Sequence, residues 1–407
     1  MYSEEKSFGY GFSLKLNDYF FKRKGGKLRL IYFDNSATTY PKPTMVNNAV
    51  ALSMKKFGAN PGRSGHKLSR NSSKEVQRCR KTASELFGAK SPENVAFTLN
   101  CTQALNMVIK GILKPGDHVV TSCLEHNAVM RPLSKLEKTI GVSYTVAKVY
   151  PNDNDKTVNS FRNAINSGTK LIICTHASNV LGVKLPVERI AALAHIYKIP
   201  ILVDGAQSAG LVPINVGKMG IDFLCLAGHK GLYGPMGTGM LITDKHEMLD
   251  TIIEGGTGTD SMKLCQPKVM PQKFESGTPN IPGICGLCAG MEFVKNKGID
   301  NIFNHELRLM QYLYDNLNRI PYVKLYMPRP NKEHFVPLIS FNVKDYISDE
   351  VGKILDRNEI EVRTGLHCAP SAHEFAGTLE TGTVRVSPSV FNTKQEVERL
   401  IGIIKKI

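Results

Sequence analysis

The sequence lacks the features of membrane-spanning and of disulfide-stabilised proteins. Its 407 residues contain no run of 18 or more apolar residues, so we expect no transmembrane helix. The N-terminal segment lacks the apolar core of a signal peptide. The nine cysteines follow no regular spacing, and their odd number fits a reduced, cytosolic chain better than a disulfide framework. With 42% hydrophobic and 22% charged residues, the composition is that of a globular, cytoplasmic protein.

Arginine-rich blocks and basic runs interleaved with aromatic residues are also absent, although the formal net charge is +16. The first 30 residues hold seven Lys or Arg against three Asp or Glu and contribute +4, so +12 is spread along the rest of the chain. This distribution favours a surface suited to anionic ligands, or no specific role, over nucleic-acid recognition. A basic nucleic-acid-binding protein that keeps an enzyme fold is the alternative, and salt-dependent binding to DNA would test it.

Residues 1–30 differ from the rest of the chain, because regular patterning begins only at the stretch LIYFDNS. The preceding KGGK is what a purine-rich ribosome-binding site would encode if it were translated. We therefore expect a tail that is disordered or an incorrectly assigned start, with the natural start near Leu28 to Ile31.

Short apolar runs alternate with helical patterns between about residues 90 and 245. Amphipathic segments such as TQALNMVIKGIL and PVERIAALAHIYK show helical spacing of their apolar residues. The predicted strands are NVAFTL, DHVVTS, VSYTVAKV, KLIICTHA, IPILVDGA, DFLCLAG and GMLIT. This alternation predicts an α/β fold with a mostly parallel sheet covered by helices on both faces.

The pattern changes near residue 282, where two long helical stretches lead into three short strands and two further helices. The strands are VPLISFNV, EIEVRTG and TVRVSP, and the helices lie at 281–297, 301–317, about 348–357 and about 393–406. We therefore expect a large domain over residues 31–281 and a smaller C-terminal α+β domain over residues 282–407. Residues 31–45 are candidates to pack with the smaller domain.

Polar side chains follow four of the predicted strands at their carboxyl ends, where ligands bind in open α/β sheets. Thr102 lies at a helix N-terminus, which suits either a phosphate group or a simple N-cap. His126 occupies a turn, and Asp204 ends an apolar strand, where a buried carboxylate needs a partner such as a protonated ring nitrogen. His229 and Lys230 follow the next strand between glycines, which would let a flat ligand or a backbone approach closely. A phosphate site, an aromatic ring, an acid and an amine form the set that pyridoxal 5′-phosphate (PLP) requires.

Together these motifs resemble the class V, fold-type I PLP enzymes, and within them the cysteine desulfurases and selenocysteine lyases. The matching stretches lie between Ile31 and Ile407 and are YFDNSATTYPKP, EHNA, SNVLG, VDGAQ, GHK, FESGTPN and RTGLHCAP. The resemblance implies a PLP-dependent transferase fold, with a large domain built on a mostly parallel sheet and a smaller C-terminal α+β domain.

The resemblance also implies a cofactor contact for each motif. Lys230 would bind PLP as a Schiff base, Asp204 would pair with its ring nitrogen, and Gln207 would hydrogen-bond its ring hydroxyl. His126 would stack on the ring and move protons. The phosphate group would be contacted by Thr102, by His229 and, from the neighbouring subunit of a homodimer, by Thr278.

For the substrate, the resemblance implies L-cysteine, or L-selenocysteine, with its carboxylate held by Asn179 and Arg385. Arginine suits this task because its planar fork can bind a carboxylate in bidentate fashion. Arg363 is a third candidate for substrate binding. Cys368 would be the nucleophile, because the neighbouring Arg363 and His367, as cations, favour a thiolate. It lies in a loop between two short strands, where mobility is expected.

The other cysteines are expected to be buried and chemically inert. Cys285 and Cys288 form a CxxC on one helical face, but no second pair lies nearby to complete a zinc site, so we expect no metal. The remaining members of this group are Cys79, Cys101, Cys123, Cys174, Cys225 and Cys265.

The expected function is that of a cysteine desulfurase, which converts L-cysteine to L-alanine, leaves a persulfide on Cys368 and passes the sulfur to an acceptor protein. Selenocysteine lyase shares every motif, and its activity on selenocysteine would persist without Cys368. A class V aminotransferase is a further alternative, which would need a keto acid. The pathway is left open among iron–sulfur cluster assembly, thio-cofactors and selenium metabolism.

Three positions depart from the family pattern. Ala227 replaces a serine that is common two residues before the His-Lys pair, which removes a phosphate hydrogen bond worth roughly 0.5–1.5 kcal/mol. Leu366 replaces a histidine that is common before the His-Cys pair, and Gly231 adds a residue after the lysine. We expect a divergent branch with its own preferred substrate and sulfur acceptor.

Overall fold

The computed structural model describes residues 29–62 and 65–407. The expectation of a disordered or incorrectly assigned tail concerns residues 1–30, and residues 1–28 lie outside the described residues. Within the described part of the chain, no helix is both long enough and apolar enough to cross a membrane.

The described ranges 29–62 and 65–407 contain twelve strands, eleven α-helices and two short 3-10 helices. The strands are β1 (Ile31–Tyr32), β2 (Val95–Thr98), β3 (His118–Ser122), β4 (Ser143–Ala147), β5 (Thr169–Thr175), β6 (Ile201–Asp204), β7 (Phe223–Ala227), β8 (Gly239–Thr243), β9 (Val323–Leu325), β10 (Ile339–Val343), β11 (Ile360–Glu361) and β12 (Val384–Val386). The helices are α1 (Thr44–Lys56), α2 (Lys67–Phe87), α3 (Cys101–Ile112), α4 (Asn127–Ile140), α5 (Asn154–Ala164), α6 (Val187–Ile196), α7 (Ile281–Lys297), α8 (Ile299–Leu317), α9 (Ser348–Arg357), α10 (Pro370–Ala376) and α11 (Lys394–Ile404).

Seven strands form the large sheet, in the order β2-β8-β7-β6-β5-β3-β4. The neighbours among β3, β4, β5, β6 and β7 pair in parallel, because crossovers such as α4, α5 and α6 return the chain to the same edge. Strand β8 is antiparallel to both β7 and β2, since the loop 228–238 carries no helix and reverses the chain. The predicted α/β fold with a mostly parallel sheet is confirmed.

The large sheet is apolar on both faces. Along β5, Leu171 and Ile173 pack in the cluster that includes side chains of α3 and α4. The alternate residues Ile172 and Cys174 pack in the cluster that includes side chains of α6 and α7. Burial on both faces is what a parallel sheet between helical layers requires, and it leaves the strand ends as the place for polar side chains.

Helices α1 and α2 are absent from the prediction. Helix α2 has a buried face that includes serine, threonine and arginine side chains, so its apolar spacing is weak. The Arg80 side chain donates to a Glu275 carboxylate oxygen at 2.7 Å, which satisfies a buried charge. The Nδ1 atom of His66 caps the first turn, and Gly88 ends the helix in the left-handed conformation.

The C-terminal region holds a three-stranded antiparallel sheet in the order β12-β10-β9. Strand β1 pairs in parallel with β11, and Ile31 and Phe33 pack among side chains of α8, α9 and α11. The buried residues of α7 pack instead in a cluster of the large sheet. The division of the chain at residue 281 stays a prediction. The stretch EIEVRTG forms a strand only at β11, and the chain then makes one isolated bridge between Arg363 and Arg385.

Candidate active site

A cavity of about 230 Å³ lies at the carboxyl ends of the parallel strands of the large sheet. Its walls come from residues that end or follow β3, β5, β6 and β7, together with the N-terminus of α3 and part of the C-terminal region. The residues predicted from the sequence that line it are Thr102, His126, Asn179, Asp204, Gln207, His229, Lys230, Arg363 and Arg385. Parallel topology therefore collects residues that are far apart in the sequence.

The Lys230 amine is buried in this cavity, and burial lowers its pKa below the ordinary 10.5. Asp204 opposes this shift, whereas Arg385 and Arg363 add to it. A lowered pKa increases the fraction of neutral amine, which is the form that reacts with a carbonyl group.

The glycines around Lys230 are packed against the protein and do not face a ligand. A Cβ atom on Gly228 would overlap the Thr238 hydroxyl, and one on Gly231 would overlap the Ala209 carbonyl oxygen. The expectation that these glycines let a flat ligand approach is therefore wrong. They let two backbone segments approach, which holds the lysine loop in place.

Replacing Gly231 with alanine should lower the free energy of unfolding by roughly 1–3 kcal/mol, because the new methyl group has no room. Gly402→Ala is the matched control, since a Cβ atom at that position of α11 would meet nothing within 4 Å. Urea unfolding of both variants measures the difference. Equal stability of the two would contradict the packing role of Gly231.

Asp204 ends β6 and is 4% exposed. Its Oδ1 atom accepts the Ala206 backbone N–H at 2.9 Å and the Cys101 thiol at 3.4 Å. Both donors use the same oxygen, so among the described contacts Oδ2 is left for a ligand. Cys101 is buried, as expected, but it also lines the cavity and donates to Asp204, a contact that the sequence did not indicate. Burial raises the pKa of Cys101, which keeps it as a thiol donor.

His126 caps the N-terminus of α4. Its Nδ1 atom accepts the Ala128 backbone N–H at 3.0 Å, so the neutral ring carries its proton on Nε2. Burial lowers the pKa of His126, which favours this neutral form. The helix cap therefore fixes both the orientation and the tautomer of a ring that lines the cavity.

Glu125 is a fully buried acid that the sequence reasoning missed, although it stands next to His126 in the EHNA motif. Its Oε1 atom accepts hydrogen bonds from the Ser122 hydroxyl and from the Thr175 backbone N–H, the latter at 2.8 Å. Its Oε2 atom is buried without a partner among the described residues. Burial raises the pKa of Glu125 to about 8, so the carboxyl group is largely neutral at pH 7. It joins the carboxyl ends of β3 and β5 without adding a charge beside Asp204.

The free energy of unfolding should depend on pH through Glu125. Its pKa in the folded protein, about 8, lies above the ordinary 4.5, so between these values the folded state holds a proton that the unfolded chain has released. Stability should therefore fall across this range as the pH rises, by roughly 1.4 kcal/mol per unit of pKa difference.

Glu125→Gln tests this, because glutamine mimics the neutral acid and cannot ionise. In urea unfolding, the variant should gain stability over the wild type as the pH rises from about 5 to about 9. Glu137→Gln, an exposed position on α4, is the control and should show no such trend. A constant difference for Glu125→Gln across this range would show that Glu125 is ionised in the folded protein.

The loop that carries His229 provides a second set of donors. Burial lowers the pKa of His229 to about 4, and its Nδ1 atom is buried without a partner among the described residues. Lys42 donates to the His229 carbonyl oxygen at 2.7 Å, and burial lowers the pKa of Lys42 to about 8. Across the cavity, Thr102 lies in the first turn of α3, and Asn100 caps that helix. An unpartnered ring nitrogen and a helix N-terminus that line the same cavity suit an anion.

Two arginines, Arg363 and Arg385, also line the cavity. Arg385 is 2% exposed and donates to the Asn179 carbonyl oxygen at 2.8 Å and to Asp34 Oδ1 at 2.7 Å. Its Nε atom is buried without a partner among the described residues, which leaves a donor for a ligand. The backbone of Arg363 pairs with that of Arg385 in an isolated antiparallel bridge. Asn179 donates to the His367 carbonyl oxygen at 2.7 Å. Asp34 orients Arg385 through the contact given above, a role that could not be assigned to it from the sequence.

Cys368 is exposed and lies beside the cavity, with its Sγ atom 4.0 Å from an Arg363 nitrogen. The expectation that His367 supplies a second cation is wrong. Burial lowers the pKa of His367 to about 2, so this ring is neutral. Cys285 and Cys288 are buried as expected, whereas Cys265 is exposed and Cys123 is partly exposed, contrary to expectation.

Thr278 lies outside the cavity that contains Lys230. It lines a separate cavity of about 580 Å³, where Asn60 donates to its hydroxyl at 3.3 Å. Gln207 does line the cavity of Lys230, and its Nε2 atom donates to the Ser36 carbonyl oxygen at 3.1 Å. Among the described residues, no group of three or more His, Cys, Asp or Glu side chains could hold a metal ion.

Comparison with known proteins identifies similar chains over almost the whole length. The family model described as aminotransferase class V matches residues 31–400. A probable cysteine desulfurase of Pyrococcus abyssi is 33% identical over 386 residues, which cover 93% of this chain and 94% of the relative. A cysteine desulfurase of Escherichia coli O8 is 32% identical over 395 residues, 95% of each chain. The apo structure of a cysteine desulfurase from Thermococcus onnurineus NA1 aligns with a TM-score of 0.85 at 34% identity, covering 93% of this chain and 94% of that one.

Proposed function

We propose that this chain, which belongs to the aminotransferase class V family, is a PLP-dependent cysteine desulfurase. It converts L-cysteine to L-alanine and leaves the sulfur as a persulfide on Cys368. The observation that carries this proposal is the meeting of Lys230 and Asp204 in one cavity, with the exposed thiol of Cys368 next to Arg363 at its edge. Relatives at 32–33% identity over more than nine-tenths of the chain are named cysteine desulfurase or probable cysteine desulfurase, which supports the same conclusion.

The residues of the cavity fit PLP. Lys230 offers an amine of lowered pKa, and Asp204 offers one oxygen for a ring nitrogen. The unpartnered Nδ1 atom of His229 and the N-terminus of α3 with Thr102 suit the phosphate group. When bound, PLP supplies an electron sink that stabilises the charge left when a substrate Cα loses its proton.

Lys230 has two tasks in this proposal. It would hold the cofactor covalently, and its neutral amine would take the Cα proton of the substrate. Asp204 would keep the ring nitrogen of the cofactor protonated through Oδ2. Gln207, fixed by Ser36, would bind the ring hydroxyl, and the neutral ring of His126 would contact the cofactor and move protons at Nε2.

The substrate carboxylate binds at the arginine side of the cavity. Arg385 offers its Nε atom, and its remaining nitrogens are already held by Asp34 and Asn179, so its orientation is set before the substrate arrives. Arg363 and the Asn179 side chain supply the other contacts. Orientation in advance lowers the conformational cost of binding.

Sulfur transfer requires the Cys368 thiolate as nucleophile, and an Arg363 nitrogen lies 4.0 Å from its Sγ atom. The thiolate attacks the substrate sulfur, an S–S bond forms, and the Cβ–S bond breaks. The electron pair of the broken bond stays on Cβ, which takes up a proton. Lys230 would then return a proton to Cα, which completes L-alanine. A thiol reductant or an acceptor protein then removes the sulfur from Cys368.

Cys368→Ala should lower L-alanine release from L-cysteine by about two orders of magnitude or more, because the nucleophile is gone. The measurement is alanine release by the holoenzyme with a thiol reductant present. Lys230→Ala should lose both turnover and the cofactor absorbance, whereas Cys368→Ala should keep that absorbance.

Unchanged alanine release by Cys368→Ala would place the nucleophile elsewhere. Activity on L-selenocysteine that persists in this variant, with none on L-cysteine in the wild type, would identify a selenocysteine lyase instead. Turnover that depends on a keto acid would identify an aminotransferase.

A homodimer would complete the cofactor site. Thr278 cannot serve the cavity of its own chain, since it lines the separate larger cavity. The segment before it exposes Met262 and Leu264 almost completely, and Val269 by 62%. Exposed apolar side chains next to a large cavity suit contact with a second copy of the chain, whose phosphate site Thr278 would then reach.

The mass in solution should accordingly be twice the chain mass of 44.9 kDa, as measured by light scattering. Thr278→Ala should weaken PLP binding roughly 10- to 150-fold, because one hydrogen bond to a charged group contributes about 1.5–3 kcal/mol and each 1.4 kcal/mol is about tenfold. Thr259→Ala, in the same cavity, is the control and should leave PLP affinity unchanged. A monomer, or equal PLP affinity of the two variants, would contradict this arrangement.

The sulfur acceptor and the location complete the proposal. The nine cysteines are free thiols, and Cys368 and Cys265 are exposed, which fits a reducing compartment such as the cytoplasm. The exposed position of Cys368 lets an acceptor protein reach its persulfide. Iron–sulfur cluster assembly is one pathway that such an acceptor could serve.

A further inference from the structure

Three buried side chains next to Cys368 form a hydrogen-bonded chain that the proposed reaction does not use. The Nδ1 atom of His367 lies 3.1 Å from Nε2 of His373, and Nδ1 of His373 lies 2.8 Å from the Thr378 hydroxyl. The two rings stack with their centroids 5.3 Å apart and their planes 6° apart. We call His367, His373 and Thr378 the histidine pin.

The histidine pin is joined to a strained backbone. His367 and Cys368 have φ angles of 52° and 56°, so two consecutive residues with side chains occupy the left-handed region. Residues other than glycine rarely adopt this conformation, and they keep it only where surrounding contacts hold them. The conformation at Cys368 therefore needs anchors.

Two of these anchors are backbone contacts. Asn179 donates to the His367 carbonyl oxygen at 2.7 Å, and the Asn127 backbone N–H donates to the Cys368 carbonyl oxygen at 2.8 Å. The third anchor is the His367 side chain, which inserts next to α10. The Thr378 backbone N–H donates to the His373 carbonyl oxygen at 2.8 Å, so His373 and Thr378 belong to one short folded unit.

The pin is an uncharged anchor. Burial lowers the pKa of both histidines, and that of His367 falls to about 2. Each neutral ring has one nitrogen that donates a hydrogen bond and one that accepts, so each of the two contacts in the pin can be a single hydrogen bond. The pin therefore fixes the position of His367 without placing a cation next to Cys368, which is left to Arg363.

We propose that His373 and Thr378 are positioning residues for sulfur transfer, which hold His367 and thereby keep Cys368 in its left-handed conformation at the edge of the cavity. This inference rests on the proposed function, since it takes Cys368 as the nucleophile. Neither residue touches the substrate. Their effect is on the distance between the Cys368 sulfur and the substrate sulfur.

His373→Leu should lower kcat for alanine release roughly 10- to 100-fold, because displacement of a reacting atom by about 1 Å costs that much. KM for L-cysteine should change less than about threefold, since Arg385 keeps its contacts with Asp34 and Asn179. Thr378→Val should act in the same direction, and Thr378→Ser, which retains the hydroxyl, should restore most of kcat. Thr381→Val is the matched control, because it removes an exposed hydroxyl of the same loop.

A double-mutant cycle separates positioning from general damage. If the pin acts through Cys368, then His373→Leu in a Cys368→Ala background should reduce the residual activity no further. If His373→Leu lowers the residual activity of Cys368→Ala by the same factor as it lowers the activity of the wild type, the proposal is overturned. Should His373→Leu fail to fold, the pair of Thr378→Val and Thr378→Ser takes its place in the cycle.

Hydrogen exchange gives a readout that is independent of turnover. In the holoenzyme, peptides covering residues 363–376 should exchange faster in His373→Leu and Thr378→Val than in the wild type or Thr378→Ser. Faster exchange with unchanged kcat would overturn the role in sulfur transfer, and unchanged exchange would overturn the pin itself. If the wild type releases no alanine, the proposed function fails, and the exchange comparison alone decides whether the pin holds the backbone of Cys368.

Discussion

Burial of the Lys230 amine near the Asp204 carboxylate is the constraint on which the rest of the site depends. Asp204 ends β6, and Lys230 follows β7, the neighbouring parallel strand, so both side chains reach the same edge of the sheet. Burial disfavours the charged amine, and Asp204 partly restores it. A buried charge without partners is costly. The Ala206 backbone N–H and the Cys101 thiol both donate to one oxygen of Asp204, which leaves the other oxygen for a ligand. Glu125, close by, stays largely neutral and adds little charge to the pair.

Most residues that line the cavity could be predicted from the sequence, because the carboxyl ends of parallel strands lie at the same edge of the sheet. His126, Asp204 and Lys230 each stand at or just after the end of an apolar run, and that position alone brings them together. The contacts of Cys101 and Glu125 could not be predicted in this way. They depend on which atoms face each other across the strand ends, and a cysteine or glutamate next to a motif carries no such information.

Two errors in the prediction have a common physical cause, which is that proximity in the sequence does not determine the surroundings of a side chain. His367 is next to Cys368 in the chain, yet its ring is buried against His373 and cannot act as a cation. The glycines next to Lys230 face the protein interior and not the cavity. Helix α2 was missed for a related reason, since its buried face includes polar side chains whose partners lie far along the chain.

The ion pair between Asp34 and Arg385 joins residues 351 positions apart, near the two ends of the described chain. Such a contact forms late in folding, because the long loop between its partners must close first. During synthesis, the large sheet emerges well before Arg385 does. A nascent chain can therefore build the part of the cavity around Lys230 and Asp204 while Arg385 is still missing, and the cavity is complete only when the last strand has joined the first residues of the fold.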